Sequence, residues 1–460
     1  MRKNTNNIPF APARWPFFYG WFILALGTLG VIMSVPGQTI GVSAFTEPVM
    51  DALGLTRTAF ALSYGIGTAA SALFLTWGGK LYDRYGARIM GVCSAVALGV
   101  VLLALSRLDA IATAATGVFG EHVVDTFVGN IAVVTFLVAT IGFLLLRFTG
   151  QGMLTVVSRN MIMQWFHHRR GLANGIMSMF VPMMFALAPL TFNTLNKALT
   201  WRGTWAILGA VLAGGFGLVV LVFYRDNPED CGLEPDGGLH GRPDDPRHHP
   251  KRDFTLPEAR RTYAFWVFNL ALTLQALYVT AVTFHVESIF DQVGIEEDIA
   301  YMSFLPSSVM TVLTAILGGW ISDHVELKRL LKVMLGAMAL SMVGLLILHK
   351  PAAMWMYMLS RGVAGGLFGL LLGLTWPRLF GRSHLGAISG FQMSWTVVGS
   401  AAGPGLFAVS LQFADSYRWS IGACLAAAVV LFVLALKADR PDPPDGQPVE
   451  PQPAAPGEQA

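Results

Sequence analysis

Charge is what this sequence has least of. Of 460 residues only 13% are charged, while 54% are hydrophobic; a soluble domain carries about 25% charged residues. Too little polar surface is left to cover a water-soluble globule. Cysteine is scarce too. Cys93, Cys231 and Cys424 are odd in number and far apart, so neither a disulfide framework nor a thiolate metal cluster follows. There is no Gly-Lys-Ser/Thr phosphate loop, so ATP is not expected to supply energy. No nucleophile–base pairing stands out, so an enzyme is not expected, nor a cofactor or a metal. A net charge of +3 gives no reason to expect nucleic acid. The start, Met1-Arg-Lys-Asn-Thr-Asn-Asn, is basic. The apolar run from Phe17 is nevertheless too long for a cleavable signal peptide, and no small-residue cleavage site follows promptly.

Long apolar runs are what the sequence has instead. A bilayer crossing takes about 20 helical residues. The fold class expected is all-α, a polytopic membrane protein with twelve spans, surrounded by lipid. The spans read as 17–45, 57–77, 89–107, 134–163, 171–192, 203–224, 263–286, 298–319, 330–348, 354–377, 386–411 and 417–437. Pro36-Gly37 predicts a kink or tilt in the long first span.

Lys and Arg set the orientation. With the N-terminus inside, the inner segments hold Arg2, Lys3, Arg14, Lys80, Arg84, Arg88, Arg169, Arg170, Lys328, Arg329, Lys332, Arg378, Arg382 and the basic residues of 225–261. The outer loops hold Arg57, Arg107, Lys197, Arg202, Lys350 and Arg418. Both termini are therefore expected in the cytoplasm, in the inner membrane of a bacterial-type cell. The chain divides into an N-terminal segment 1–16, a six-helix half 17–224, a polar linker 225–262, a second half 263–437, and a Pro-rich tail 438–460 expected to be disordered.

The two halves repeat one another. Gly79-Lys-Leu-Tyr-Asp83-Arg84-Tyr-Gly86-Ala-Arg88 is echoed by Gly319-Trp-Ile-Ser-Asp323. After Arg147 the text Trp165-Phe-His-His-Arg-Arg-Gly171-Leu-Ala-Asn-Gly175 faces, after Arg361, Leu379-Phe-Gly-Arg-Ser-His-Leu-Gly386-Ala-Ile-Ser-Gly390. An insertion at about 109–133 lengthens the first copy, and its stretch 117–125 could form a short interfacial helix. The glycines permit close approach of helix ends. Asp83 suits a helix N-terminus or a basic partner on a facing helix.

The first of these motifs resembles the loop signature of the major facilitator superfamily of secondary transporters. That resemblance implies two parallel six-helix halves with substrate held between them near mid-membrane. It also implies conformational-switch loops at Gly79, Asp83, Arg84, Gly86, Arg88, Gly319 and Asp323. Pro228-Glu-Asp-Cys-Gly-Leu-Glu-Pro-Asp236-Gly237, Ala264-Phe-Trp266, Arg169-Arg170-Gly171 and Phe380-Gly-Arg-Ser-His-Leu-Gly386 look like the oxalate/formate antiporter and monocarboxylate transporter branch. That branch suggests small organic anions. Its charged site residues do not carry over: Gln38 stands near the place of its first-span lysine, and the eighth and eleventh spans lack its charges.

Ionisable groups inside spans are costly and suggest function. Arg147 and Arg361 lie at matching places in the fourth and tenth spans and are the first candidates for substrate binding. The plainer alternative is an arginine bonded to backbone carbonyls, at the close approach of Gly150 and Gly152 for Arg147. Arg159, nearer the inner end, reads as a snorkelling or gate-bracing residue. Gln38, Gln275 and Gln392 are polar span residues that either glue helices or touch substrate. His285 and Glu287 are weighed as proton carriers against an outer-loop cluster in water. Trp165, Trp266, Trp320 and Trp376 fit an interfacial belt, and the methionines from Met161 to Met184 fit packing. The function expected is secondary transport of a small organic anion, a carboxylate, by a monomer coupled to protons or a counter-anion. The alternatives are proton-coupled efflux of neutral compounds or drugs, and a non-transporting membrane sensor or scaffold.

Overall fold

The computed structural model describes residues 8–119, 131–238 and 252–441. Most of the tail, the middle of the linker and most of the insertion lie outside these residues, including the greater part of the stretch expected as an interfacial helix. The described residues are helical, with no strand among them. That is what lipid demands of an apolar chain: every backbone N–H and C=O must be met within the segment.

Among the described residues ten helical stretches are long and apolar enough to cross a membrane. Two of them are each a pair of crossings joined at one non-helical residue, Gly86 and Thr200, so the crossings number twelve. We label them α1 to α12. α1 is Gly20–Met33, continued by a 3-10 turn at Val35–Gly37 and a short helix Thr39–Ser43. The kink expected at Pro36-Gly37 is that turn. α2 (57–85) and α3 (87–105) share the stretch Arg57–Leu105. α4 runs from Ile131–Arg147 through a π-helical turn, Phe148–Leu154, to Thr155–Trp165. α5 (170–199) and α6 (201–223) meet at Thr200. The second half comprises α7 (Tyr263–Phe284), α8 (Phe304–Ser322), α9 (Leu327–Leu346), α10 (Pro351–Leu379), α11 (Leu385–Ala414) and α12 (Arg418–Ala435).

The motif around Asp83 is not the loop its charges suggested. Helix continues to residue 85 and turns at the single residue Gly86, with φ of 85°. A Cβ there would stand 2.4 Å from the Asp226 carboxylate, which accepts the Arg88 backbone N–H at 3.0 Å. Both the left-handed backbone and the missing Cβ are needed, so only glycine serves. The linker is also more ordered at its ends than its composition suggested. Glu229–Cys231 and Pro235–Gly237 form 3-10 turns, and Leu256–Ala259 a helical turn with a Thr255/Glu258 capping box. We call this end of the bundle the linker face.

α2 packs on α11, and α5 on α8, and these pairs join the halves. Glycines set the distance. A Cβ on Gly79 would lie 2.0 Å from the Gly386 carbonyl oxygen, and one on Gly319 would lie 2.7 Å from that of Gly171. Trp165 and Trp376, expected in an interfacial belt, are instead fully buried, and the Trp165 indole donates to the Arg225 carbonyl at 3.2 Å. Trp320 is exposed. Met161, Met163 and Met177 are core residues, whereas Met179, Met183 and Met184 are exposed.

Candidate functional site: the seam between the halves

Glycine and aspartate four residues apart share one face of a helix. On α2, Gly79 brings α11 close, and Asp83 one turn on meets its N-terminus. The carboxylate accepts the backbone N–H of Gly386 at 2.6 Å and of Ala387 at 2.8 Å. In the other half, Gly319 brings α5 close. Asp323, just past the end of α8, accepts the N–H of Gly171 at 2.9 Å and of Leu172 at 3.2 Å. Free amides and the helix dipole make such N-termini seats for anions. The seats differ in one respect: Asp323 also pairs with the buried Arg378 guanidinium. Burial raises the Asp323 carboxyl above its usual range, against the lowering by Arg378 and the two amides. Arg84 is exposed and lies over the Tyr85 ring. Arg88 donates from Nε to the Leu221 carbonyl at 2.6 Å.

A second pair of carboxylates sits beside the first. Asp236 accepts the backbone N–H of His167, His168 and Arg169 at 2.9, 2.7 and 3.3 Å. Asp253 accepts those of Arg382 and Ser383 at 3.1 and 3.2 Å. The turns that lead into α5 and α11 therefore each carry one linker aspartate and one helix aspartate. The phrase Pro228–Gly237 was legible as a motif. Its purpose needed the structure: Gly232, Gly237 and Gly238 all have positive φ and fold the chain so that Asp236 reaches those amides.

Further cross-half hydrogen bonds run from the linker face to mid-helix. Arg382 donates to the Gln164 carbonyl at 2.8 Å and to Glu229 at 2.7 Å. Asn160 donates to Ser389 at 2.7 Å, Asn174 to the Leu370 carbonyl at 3.1 Å, and Ser394 to the Ala72 carbonyl at 2.6 Å. The seam is thus closed at the linker face.

The structure does not bring Arg147 and Arg361 together in one described contact. Arg147, buried on α4, donates to the Gly37 carbonyl at 3.0 Å and stands over the Tyr64 ring, with Nε unpartnered. Arg361, half-buried on α10, donates to Thr283 at 2.9 Å and covers the Phe304 ring. Both stand about five turns before their helix ends at Trp165 and Leu379, the equivalence the repeat implied. Gln38 donates to Ser34 and Thr155 at 3.0 and 3.2 Å. Gln392 is buried and donates to Thr396 on its own helix. Gln275 is buried with neither amide atom bonded. Arg159 of α4 has no hydrogen bond or ion pair among the described residues, and its Nε and Nη1 are buried.

The profile of the Major Facilitator Superfamily matches residues 26–404. The chain belongs to this superfamily. Solved superfamily structures share the fold. A bacterial homologue of the iron transporter ferroportin superposes with TM-score 0.64 at 15% identity, over 90% of this chain and 98% of that one. The proton:xylose symporter XylE gives 0.63 at 14% identity, over 91% and 95%. The human organic anion transporter MFSD10 gives 0.55 at 12% identity, over 91% and 99%. A probable sulfoacetate transporter of Cupriavidus necator is 24% identical over 191 residues, which are 41% of this chain and 38% of that relative.

Within this superfamily fold, the groups weighed for proton coupling lie at the far end of α7. His285 is half-buried rather than in a watery loop. Nε2 is 3.0 Å from the Pro404 carbonyl and Nδ1 is 3.1 Å from the Tyr417 hydroxyl, which also reaches Ser288 at 3.0 Å. Glu287, by contrast, is exposed.

Proposed function

We propose that the protein is a secondary transporter that carries a small organic anion, most simply a carboxylate, across the inner membrane by alternating access. One observation carries the reading. The membrane-spanning helices hold Arg147, Arg159 and Arg361, and among the described residues no carboxylate pairs with any of them. An unpaired buried charge is costly, and arginine's planar fork suits a carboxylate or sulfonate. The interior therefore favours an anion. The partial match to a sulfoacetate transporter supports the same class, because sulfoacetate is itself a small organic anion.

In this reading the halves 17–224 and 263–437 rock about the seam, the linker face is cytoplasmic, and the chain acts as a monomer. The coupling partner is a proton or a counter-anion. For a proton, His285 is the proposed carrier. Its neutral ring can donate to Pro404 and accept from Tyr417, and its protonated ring can donate to both, with the Tyr417 hydroxyl turning to Ser288. Both states are fully bonded.

Uptake of labelled sulfoacetate, oxalate and acetate into proteoliposomes, with and without a pH gradient or internal anion, tests the reading. Accumulation of at least one anion above protein-free vesicles is expected. Uptake of none, while a neutral solute is carried, would replace the anion with a neutral substrate. Cysteine labelling tests the orientation. On a cysteine-free background, Arg261→Cys should react from inside the cell and Gln292→Cys from outside.

A further inference from the structure

Arg159 stands apart from the other span arginines. Arg147 has a carbonyl and a tyrosine ring, and Arg361 a hydroxyl and a phenylalanine ring. Arg159 has neither hydrogen bond nor ion pair among the described residues, yet two of its guanidinium nitrogens are sealed from solvent. The third nitrogen is not sealed and the residue is half-buried, so the guanidinium opens to one side, where a packing arginine would be expected to meet carbonyls instead.

Its neighbours on α4 fix where it points. Thr155, one turn back, bonds Ser34 of α1 at 3.0 Å, and Ser158 bonds Tyr224 after α6 at 3.1 Å. Val156 packs with Ala72 and Leu75 of α2 and with Met393 and Val397 of α11. Asn160 meets Ser389 of α11. By helical register Arg159 leaves α4 between the α1 face and the α2/α11 face, which is the seam. Across that seam, Gln392 and Thr396 are three and seven residues beyond Ser389 and continue its strip of α11 away from the linker face. Gln392 is buried, and its described partner is Thr396 on the same helix.

The two arginines differ in depth. Arg159 is six residues before Trp165, about 9 Å along the axis. Arg147 is eighteen residues before it, about 27 Å. Arg147 is therefore close to the middle of α4, and Arg159 lies between it and the linker face. It also lies on the outward side of the Asn160–Ser389 contact that closes the seam.

We infer that Arg159 is the charged contact for the transported anion, with Gln392 and Thr396 completing the seat from the opposite half. This deepens the anion reading above and rests on it. A carboxylate or sulfonate accepts from the Arg159 guanidinium, while the Gln392 amide and the Thr396 hydroxyl hold its remaining oxygens. A seat built from α4 and α11 joins both halves, so an anion bound there is felt by the rocking motion itself. Arg147 then acts as a positioning residue that holds the break in α1 at Gly37.

The test is calorimetric titration of the purified protein with sulfoacetate, oxalate, acetate and methanesulfonate, beside melting temperatures without ligand. Wild-type protein should bind at least one of them. Arg159→Gln should weaken that binding about tenfold to hundredfold, the loss of charge-assisted hydrogen bonds. Arg159→Lys should also weaken it, because the fork is lost. Without ligand, Arg159→Gln should melt no lower than wild type, since it removes an unmet buried charge. If wild type binds and Arg159→Gln binds within twofold of it, this assignment falls and the anion reading stands. If Arg159→Gln loses affinity and melting temperature together, the arginine is a packing group and the assignment also falls. If wild type binds none of the four, the anion reading and this seat fall together.

Discussion

The two levels of the seam treat their polar groups differently. At the linker face the carboxylates and several polar groups of the seam have partners: Asp83 has two amides, Asp323 two amides and Arg378, Asn160 has Ser389, and Arg382 has Glu229. Just beyond that face Arg159 has none among the described residues, and deeper in neither amide atom of Gln275 is bonded. The closed face is held by its own bonds without ligand, while Arg159 is left short of oxygen acceptors among the described residues. A transporter needs that division, because a gate must close on its own bonds and a binding site must want something from outside. Gate bonds must also be modest, since every cycle breaks them.

The comparison breaks most severely at Asp323. Asp323→Asn removes the partner of Arg378, which is 4% exposed, and stranding one half of a buried pair costs about 3–5 kcal/mol. Melting temperature should fall clearly, and transport with it. Gly79→Leu comes next. The new side chain would meet α11 backbone, so the linker face could not close. Transport should drop to about a tenth or less at equal membrane abundance, in keeping with an overpacking cost of about 1–3 kcal/mol. Asp83→Asn is milder, because no cation is left behind. It weakens two charge-assisted hydrogen bonds, about 1–3 kcal/mol in all. The closed face should lose population, and transport should fall several-fold, more than in Tyr82→Phe. Equal transport by those two variants would remove Asp83 from the switch. His285→Gln is expected to do least: near-normal exchange of anion for anion, with a flattened pH dependence of net uptake if protons are the coupling ion.

Much of this arrangement was legible in the sequence, and the reason is periodicity. Glycine and aspartate at i and i+4, repeated in both halves, place close approach and carboxylate on one helical face, so the seam contacts of Gly79, Asp83, Gly319 and Asp323 could be read from spacing. Twelve apolar runs gave the crossings for the same kind of reason. What could not be read depends on contacts distant in the chain. Asp236 and Asp253 look like ordinary linker acids until folding brings them to the turns before α5 and α11. Trp165 and Trp376 look like belt residues because composition cannot tell an interface from a core. Arg147 was a first candidate for substrate binding and Arg159 read as a snorkelling or gate-bracing residue, since a charge at matching places of a repeat stands out. Telling them apart requires knowing that Gly37 offers Arg147 a carbonyl and that nothing described answers Arg159. The π-helical turn at Phe148–Leu154 lies between the two arginines and shifts their relative direction, a change no apolar pattern announces.

The halves should separate at the linker face in every cycle, and one cross-link tests that directly. The side chains of Asn160 and Ser389 are 2.7 Å apart. On a cysteine-free background, Asn160→Cys with Ser389→Cys should form a disulfide under mild oxidation. The oxidised protein should stop carrying anion into proteoliposomes and recover on reduction, while each single variant is indifferent to oxidant. Full transport by the cross-linked protein would contradict alternating access across this seam.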